Sequence, residues 1–183
     1  MALGARAGMA EPGDDALTAR LRRGGVVLLL RHAITDPGVG DPPGFDAGVC
    51  ATQRNLSTAG RAQAQRIGAW FQARGLRPAQ VRSSAWCRCL DTGRLAFGRA
   101  DAWPALNSFF GTAAARDRQT AALRAAAGSI GAGRFEVWVT HQVNVSALTG
   151  EFAQMGEGCV LEPAAAGSDP AGARVWGRWR EGG

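Results

Sequence analysis

The stretch Gly25-Val26-Val27-Leu28-Leu29-Leu30-Arg31-His32-Ala33 decides the fold. Its five consecutive aliphatic residues are too few for a helix and suit a strand buried on both faces. The run ends in an Arg-His pair and the turn sequence Thr35-Asp36-Pro37-Gly38. In open α/β sheets the carboxyl ends of such strands border the crevice where ligands bind, because strand ends and helix starts converge there. Arg31 and His32 are therefore expected at a ligand-binding edge.

Working outward, Asp14 to Arg23 predicts a short helix with Ala16, Leu17 and Leu21 on one face, covering the first strand. Pro37 to Gly48 is too rich in Gly, Pro and Asp for regular structure, and a loop of that length beside a strand end is often functional. Ser57 can cap a helix running to about Arg74, with Ile67, Trp70 and Phe71 as its apolar stripe and Gly75 as its stop. Val81 to Ser83 reads as a strand, Trp86 to Phe97 as a helix, Asp101 to Trp103 as a short strand and Ala113 to Ala127 as an Ala-rich helix. Phe135 to Thr140 predicts another buried strand, ending at His141, with a helix over Val143 to Leu148. Val160-Leu161 and Arg174 to Trp179 are closing strands on either side of a Gly-, Ala- and Pro-rich loop. Strands alternating with helices predict a three-layer α/β/α sandwich with a largely parallel central sheet. The 183 residues suffice for one core, so a single domain over 14–183 is expected after a flexible segment, 1–13.

All 21 basic residues are arginine, and the formal net charge is +6. With no lysine there is no Schiff-base chemistry and no P-loop lysine, whereas the planar guanidinium fork suits phosphate and carboxylate oxygens. The arginines form no basic run and no pattern of alternating aromatics, so nucleic acid is not an expected partner. Cys50, Cys87, Cys89 and Cys159 lack paired Cys-x-x-Cys spacing, which argues against zinc and leaves free thiols or one or two disulfides open. No apolar stretch reaches membrane-spanning length. Gly8-Met9-Ala10 resembles the tail of an export cleavage site, but no hydrophobic segment precedes it. As written, the chain is expected to be cytoplasmic, or periplasmic if an upstream signal peptide has been lost.

His32 and His141, the two histidines of the chain, both follow buried-strand sequences, and in a parallel sheet both would lie along one edge. Arg31 precedes the first, Arg54 lies just before the cap at Ser57, and Arg88 sits one turn into the helix after the second strand. Each arginine alone is most often a solvated surface charge. Gathered at strand-to-helix junctions, they describe an anion pocket.

These residues carry a resemblance to the histidine phosphatase superfamily, with its phosphoglycerate mutase-like fold. Leu29-Leu30-Arg31-His32-Ala33 resembles the family's Arg-His signature, and Leu56-Ser57-Thr58-Ala59-Gly60-Arg61-Ala62-Gln63-Ala64 its Leu-Thr-x-x-Gly-x-x-Gln-Ala segment. Ser83-Ser84-Ala85-Trp86-Cys87-Arg88 with Asp91-Thr92 is similar to its Ser-Ser-x-x-x-Arg-x-x-x-Thr block, and Val139-Thr140-His141 to its second-histidine strand. Within the family, Thr52-Gln53-Arg54-Asn55-Leu56-Ser57 resembles small phosphatases that include the proposed lipopolysaccharide core heptose phosphate phosphatases.

The resemblance implies a phosphatase that hydrolyses a phosphomonoester or a phosphorylated protein side chain. His32 would attack phosphorus, while Arg31, Arg88 and His141 hold the phosphoryl oxygens. Arg54, Asn55 and Ser57 are further expected substrate contacts, and no metal or other cofactor is required. Partners are a phosphorylated small molecule or a phosphoprotein. One element departs from the pattern. Ser108, in Leu106-Asn107-Ser108, stands where many members carry a proton-donating glutamate, and Gln142 follows His141 where another branch keeps an acid. Asp41, Asp46 and Glu151 are the candidate donors. The missing acid also admits a catalytically idle phosphate-binding module as an alternative. A structural or interaction protein with surface arginines is a further rival. If Arg54 and Arg88 share a pocket, Cys50 becomes a disulfide candidate for Cys87 or Cys89, which flank Arg88.

Overall fold

A computed structural model of the chain describes residues 12–110, 113–164 and 173–181. The expected flexible start therefore falls almost wholly outside the described residues. The chain orders as α1 (Asp14–Arg23), β1 (Val26–Arg31), α2 (Thr58–Ala73), β2 (Gln80–Ser83), α3 (Cys87–Phe97), β3 (Asp101–Ala102), α4 (Arg116–Ala127), β4 (Phe135–Thr140), α5 (Gln142–Thr149), β5 (Gly158–Pro163) and β6 (Ala173–Trp179). Six strands form one sheet in the order β3-β2-β4-β1-β5-β6.

The apolar run sits where its composition requires. Val26 to Leu30 of β1 are wholly buried, and the strand's period of two sends alternate residues to opposite faces. Val26, Leu28 and Leu30 join a cluster with Leu17 and Leu21 of α1, Ile67 and Phe71 of α2 and Cys89 of α3. Val27 and Leu29 join the other, with Leu123 and Ala127 of α4 and Val145 and Leu148 of α5. Each such side chain contributes about 1.5–3 kcal/mol on burial, and two apolar faces demand two helical layers. The result is the α/β/α sandwich.

Ser57 caps α2, its Oγ accepting from the Gly60 amide at 3.0 Å, and Gly75 ends the segment at φ +62°. The sheet departs from full parallelism at one side. The pairings β3-β2, β2-β4 and β4-β1 are parallel, while β1-β5 and β5-β6 are antiparallel. β5 and β6 follow one another with no described helix between them, and adjacent strands joined without a crossover run antiparallel. β3 stops at Ala102, and Pro104, which has no amide hydrogen, opens a 3-10 turn in place of a longer strand. The helix expected from Ala113 starts as a 3-10 turn over Ala113–Ala115 before α4. Among the described residues, no helix is long and apolar enough to cross a membrane.

Register positions the site. Arg31 pairs with Thr140, and Ser83 with Val139, so three adjacent parallel strands finish nearly level. The His32 amide donates to Thr140 O at 3.0 Å and the Ser84 amide to Val139 O at 2.9 Å. His32, His141 and Ser84 thus leave the sheet side by side.

Candidate active site

His32 is buried, and its Nδ1 lies 2.8 Å from the Ala33 carbonyl oxygen. A carbonyl only accepts, so Nδ1 carries the proton and Nε2 keeps its lone pair. Burial lowers the His32 pKa to about 3; the Ala33 bond opposes the shift, while the charges of Arg88, Arg31 and Arg54 reinforce it. The imidazole is neutral and one nitrogen is free to attack.

The backbone after His32 is held by the residues of the two family-like blocks. The Ala33 amide donates to Thr92 Oγ1 at 3.0 Å, and Thr92 Oγ1 in turn donates to Arg88 O at 2.7 Å. The Ile34 amide donates to Gln63 Oε1 at 3.0 Å, and the Ser57 amide donates to Ile34 O at 3.1 Å. Gly60 is required here, because a Cβ would overlap that same Ile34 carbonyl oxygen.

Arg31, Arg54, Arg88 and His141 line one cavity with His32, of about 530 Å³. The two imidazoles have centroids 5.6 Å apart. Ser84 Oγ donates to Asn107 Oδ1 at 3.3 Å and so is free to accept from His141 Nε2 at 2.8 Å, leaving His141 Nδ1 as an acceptor for Arg88 Nη2 at 3.4 Å. Burial, the neighbouring His32 and the three guanidinium charges hold the His141 pKa well below its ordinary value. Arg31 donates through Nη1 to Ala153 O at 2.8 Å, and Arg54 through Nη1 to Gly38 O. The Nε atoms of Arg31, Arg54 and Arg88 are each buried without a hydrogen-bond partner. Three guanidinium groups lining one cavity set a fixed positive charge there, which favours an anion.

Of the candidate acids, Asp41 alone lines the cavity. Its oxygens lie 2.6 and 3.1 Å from Arg88 Nη1 and Nη2 in a two-pronged pair, and they also accept from the Arg54 amide at 3.0 Å and from Trp86 Nε1 at 2.9 Å. Burial raises the Asp41 pKa, but the Arg88 and Arg54 hydrogen bonds, the Arg88 charge and the Trp86 bond together hold it below its ordinary value. Asp41 is therefore anionic. Asp46 instead accepts from the Gly48 amide at 2.7 Å, and Glu151 lies 3.8 Å from Arg178; neither lines the cavity.

Asn55 and Ser57, expected as substrate contacts, are likewise absent from the lining. Asn55 Nδ2 donates to Cys50 O at 2.7 Å, and the Ser57 hydroxyl is used on the α2 cap and Ile34 O. Their side chains serve the loop and the helix start. Ser108 does line the cavity, its Oγ accepting from the Phe110 amide at 3.2 Å.

Cys50 and Cys87 form a disulfide with Cα atoms 5.6 Å apart, and Cys89 and Cys159 are buried free thiols. Burial pushes the Cys89 thiol up to about 12, so it is not a nucleophile. Beside the disulfide, the Cys87 amide donates to Gln53 Oε1 at 3.0 Å, while Gln53 Nε2 donates to Ala47 O at 2.9 Å. The loop is thereby tied to the first turn of α3. Sequence reasoning did not single out Trp86, Phe45, Phe110 or Val39 as lining residues, although Val39 and Phe45 fall in the Pro37 to Gly48 loop expected beside the strand end and Trp86 lies two positions before Arg88.

No protein-family model and no curated protein matches the sequence. Solved structures do resemble it. The protein histidine phosphatase SixA, solved in complex with tungstate, superposes with a TM-score of 0.57 at 13% identity over 85% of this chain and 97% of that one. The mycobacterial glucosyl-3-phosphoglycerate phosphatase Rv2419c, in complex with VO3, gives 0.55 at 17% identity over 82% and 96%. At these identities the likeness establishes a shared α/β fold.

Proposed function

We propose that this protein is a phosphatase of the histidine phosphatase superfamily, acting on a phosphomonoester or a phosphorylated protein side chain. The observation that carries the reading is a neutral His32 with a free Nε2, set in one cavity with the guanidinium groups of Arg31, Arg54 and Arg88. Phosphoryl transfer asks for an in-line nucleophile and fixed positive charge around the equatorial oxygens, and this cavity supplies both. The resemblance to SixA and Rv2419c, which were solved with tungstate and VO3, supports the same reading.

In the first step His32 Nε2 bonds to phosphorus as the bond to the leaving oxygen breaks, with Arg31, Arg88 and Arg54 holding the phosphoryl oxygens; His141, whose Nε2 proton is used on Ser84 and whose Nδ1 accepts from Arg88, orients the Arg88 guanidinium. In the second, water attacks phosphorus, the P–N bond breaks, and phosphate leaves with His32 neutral again. Ser108 is no acid, and Asp41 is held as an anion by Arg88, so the leaving oxygen departs without a strong proton donor. Leaving groups that bear charge well are the expected substrates: aryl, acyl and histidine phosphates ahead of simple alkyl esters. The heptose phosphate reading rests on Thr52 to Ser57, of which Gln53, Asn55 and Ser57 are occupied by the fold.

Rapid quenching with a ³²P-labelled aryl phosphate tests the proposal. An acid-labile, alkali-stable phosphoenzyme is expected in wild type and absent in His32→Ala, together with all turnover. Phosphate binding with neither phosphoenzyme nor turnover would instead establish an idle binding module.

A further inference from the structure

We propose that the pocket selects phosphomonoesters whose leaving group is an aromatic ring, gripped by an apolar collar at the mouth of the phosphoryl subsite. This deepens the phosphatase reading and rests on it. Among the described residues, five large apolar side chains are exposed: Val39, Phe45, Val49, Phe110 and Phe152. Val39 at 88% and Phe110 at 63% are the most open, and with Phe45 they line the cavity that holds His32. Phe152 lies 5.7 Å from the Arg31 guanidinium, and Val49 adjoins the Cys50–Cys87 bridge. Single exposed apolar residues need no explanation, but Val39 and Phe45 from the loop and Phe110 from the chain after β3 share one opening with the half-buried Trp86, which precedes α3.

The collar is aromatic in its walls. Phe45 has its ring 5.9 Å from Trp86, whose ring in turn stands 5.6 Å from His141, and Phe110 lies beside Gly40 across the loop. Ring centroids at such separations give edge and offset contacts, which a further ring can extend. The cavity volume of about 530 Å³ lies in the range of small-ligand sites and accommodates a phosphoryl group with a ring attached.

Polar groups at the mouth are largely spoken for. The Gln142 amide donates to Ser146 Oγ and Glu151 O and accepts from the Ala153 amide. Trp86 Nε1 is used on Asp41, and Asp41 on Arg88. A polyhydroxyl leaving group would give up water and find few replacement partners, whereas a ring loses nothing polar and gains buried area.

Phosphonates separate recognition from chemistry, because their P–C bond is not cleaved. Calorimetric titration with phenylphosphonate, methylphosphonate and orthophosphate is expected to show the phenyl compound binding about tenfold tighter than the methyl one. Phe110→Ala and Phe45→Ala, checked by thermal melting, should each shrink that ratio. Equal affinities for the two phosphonates overturn the collar while orthophosphate binding preserves the phosphatase reading. A ratio untouched by both truncations, or glucose 6-phosphate competing as well as phenyl phosphate, also overturns it. If neither phosphonate nor orthophosphate binds and no aryl phosphate is turned over, the phosphatase reading itself falls.

Discussion

Asp41 occupies both prongs of the Arg88 fork, the same donors that a phosphoryl group would use. Removing its charge while keeping its shape separates two effects of opposite sign. Asp41→Asn should tighten orthophosphate binding several-fold, because one carboxylate no longer competes with or repels the anion. The same change should lower the melting temperature, because the buried Arg88 loses its counter-charge. Titration calorimetry and a thermal melt on one preparation check both directions, and weaker phosphate binding would make Asp41 a support for Arg88 instead of a competitor.

At the scale of elements, two constraints set how the loop of residues 37–57 meets α3: the Cys50–Cys87 bridge and the Gln53 latch. The bridge joins residues 37 apart in sequence, for which loop-closure entropy predicts a contribution of about 3–4 kcal/mol. Reductant, or Cys50→Ser with Cys87→Ser, should shift denaturant unfolding by roughly that amount. It should also raise KM more than it lowers kcat, since the loop carries Val39, Asp41, Phe45 and Arg54 while His32 sits on β1's end. Titration of unfolded protein prepared without reductant should find two thiols, Cys89 and Cys159.

For the whole molecule, the two buried neutral histidines link stability to pH. His32 has a folded pKa of about 3 against an ordinary 6.5, and His141 is lowered in the same direction. Between those values the unfolded chain binds more protons than the native one, so unfolding free energy rises with pH through the window and levels off above about 6.5. Chemical denaturation at pH 4, 5, 6 and 7 should show this slope. In His32→Gln it should flatten in part, because His141 continues to titrate; an unchanged slope would mean that His32 is solvated and protonated in the native state.

Much of this was readable along the chain. The Val26–Leu30 run, the Phe135–Thr140 strand and the Ser57 cap are governed by local sterics, periodicity and hydrogen bonds within a few residues, which a sequence displays directly. Arg31, His32, Arg88 and His141 were legible for the same reason: each ends or follows a strand or opens a helix, and parallel register then brings them to one edge. Cys50 was legible as a bridge candidate but not its choice of Cys87 over Cys89, which depends on how α3 is turned against the loop. Asp41 meeting Arg88 across 47 positions, the antiparallel β5 and β6, and a collar drawn from three segments were decided only by tertiary packing. Contacts of that kind depend on where finished elements come to rest, and no local pattern of residues records it.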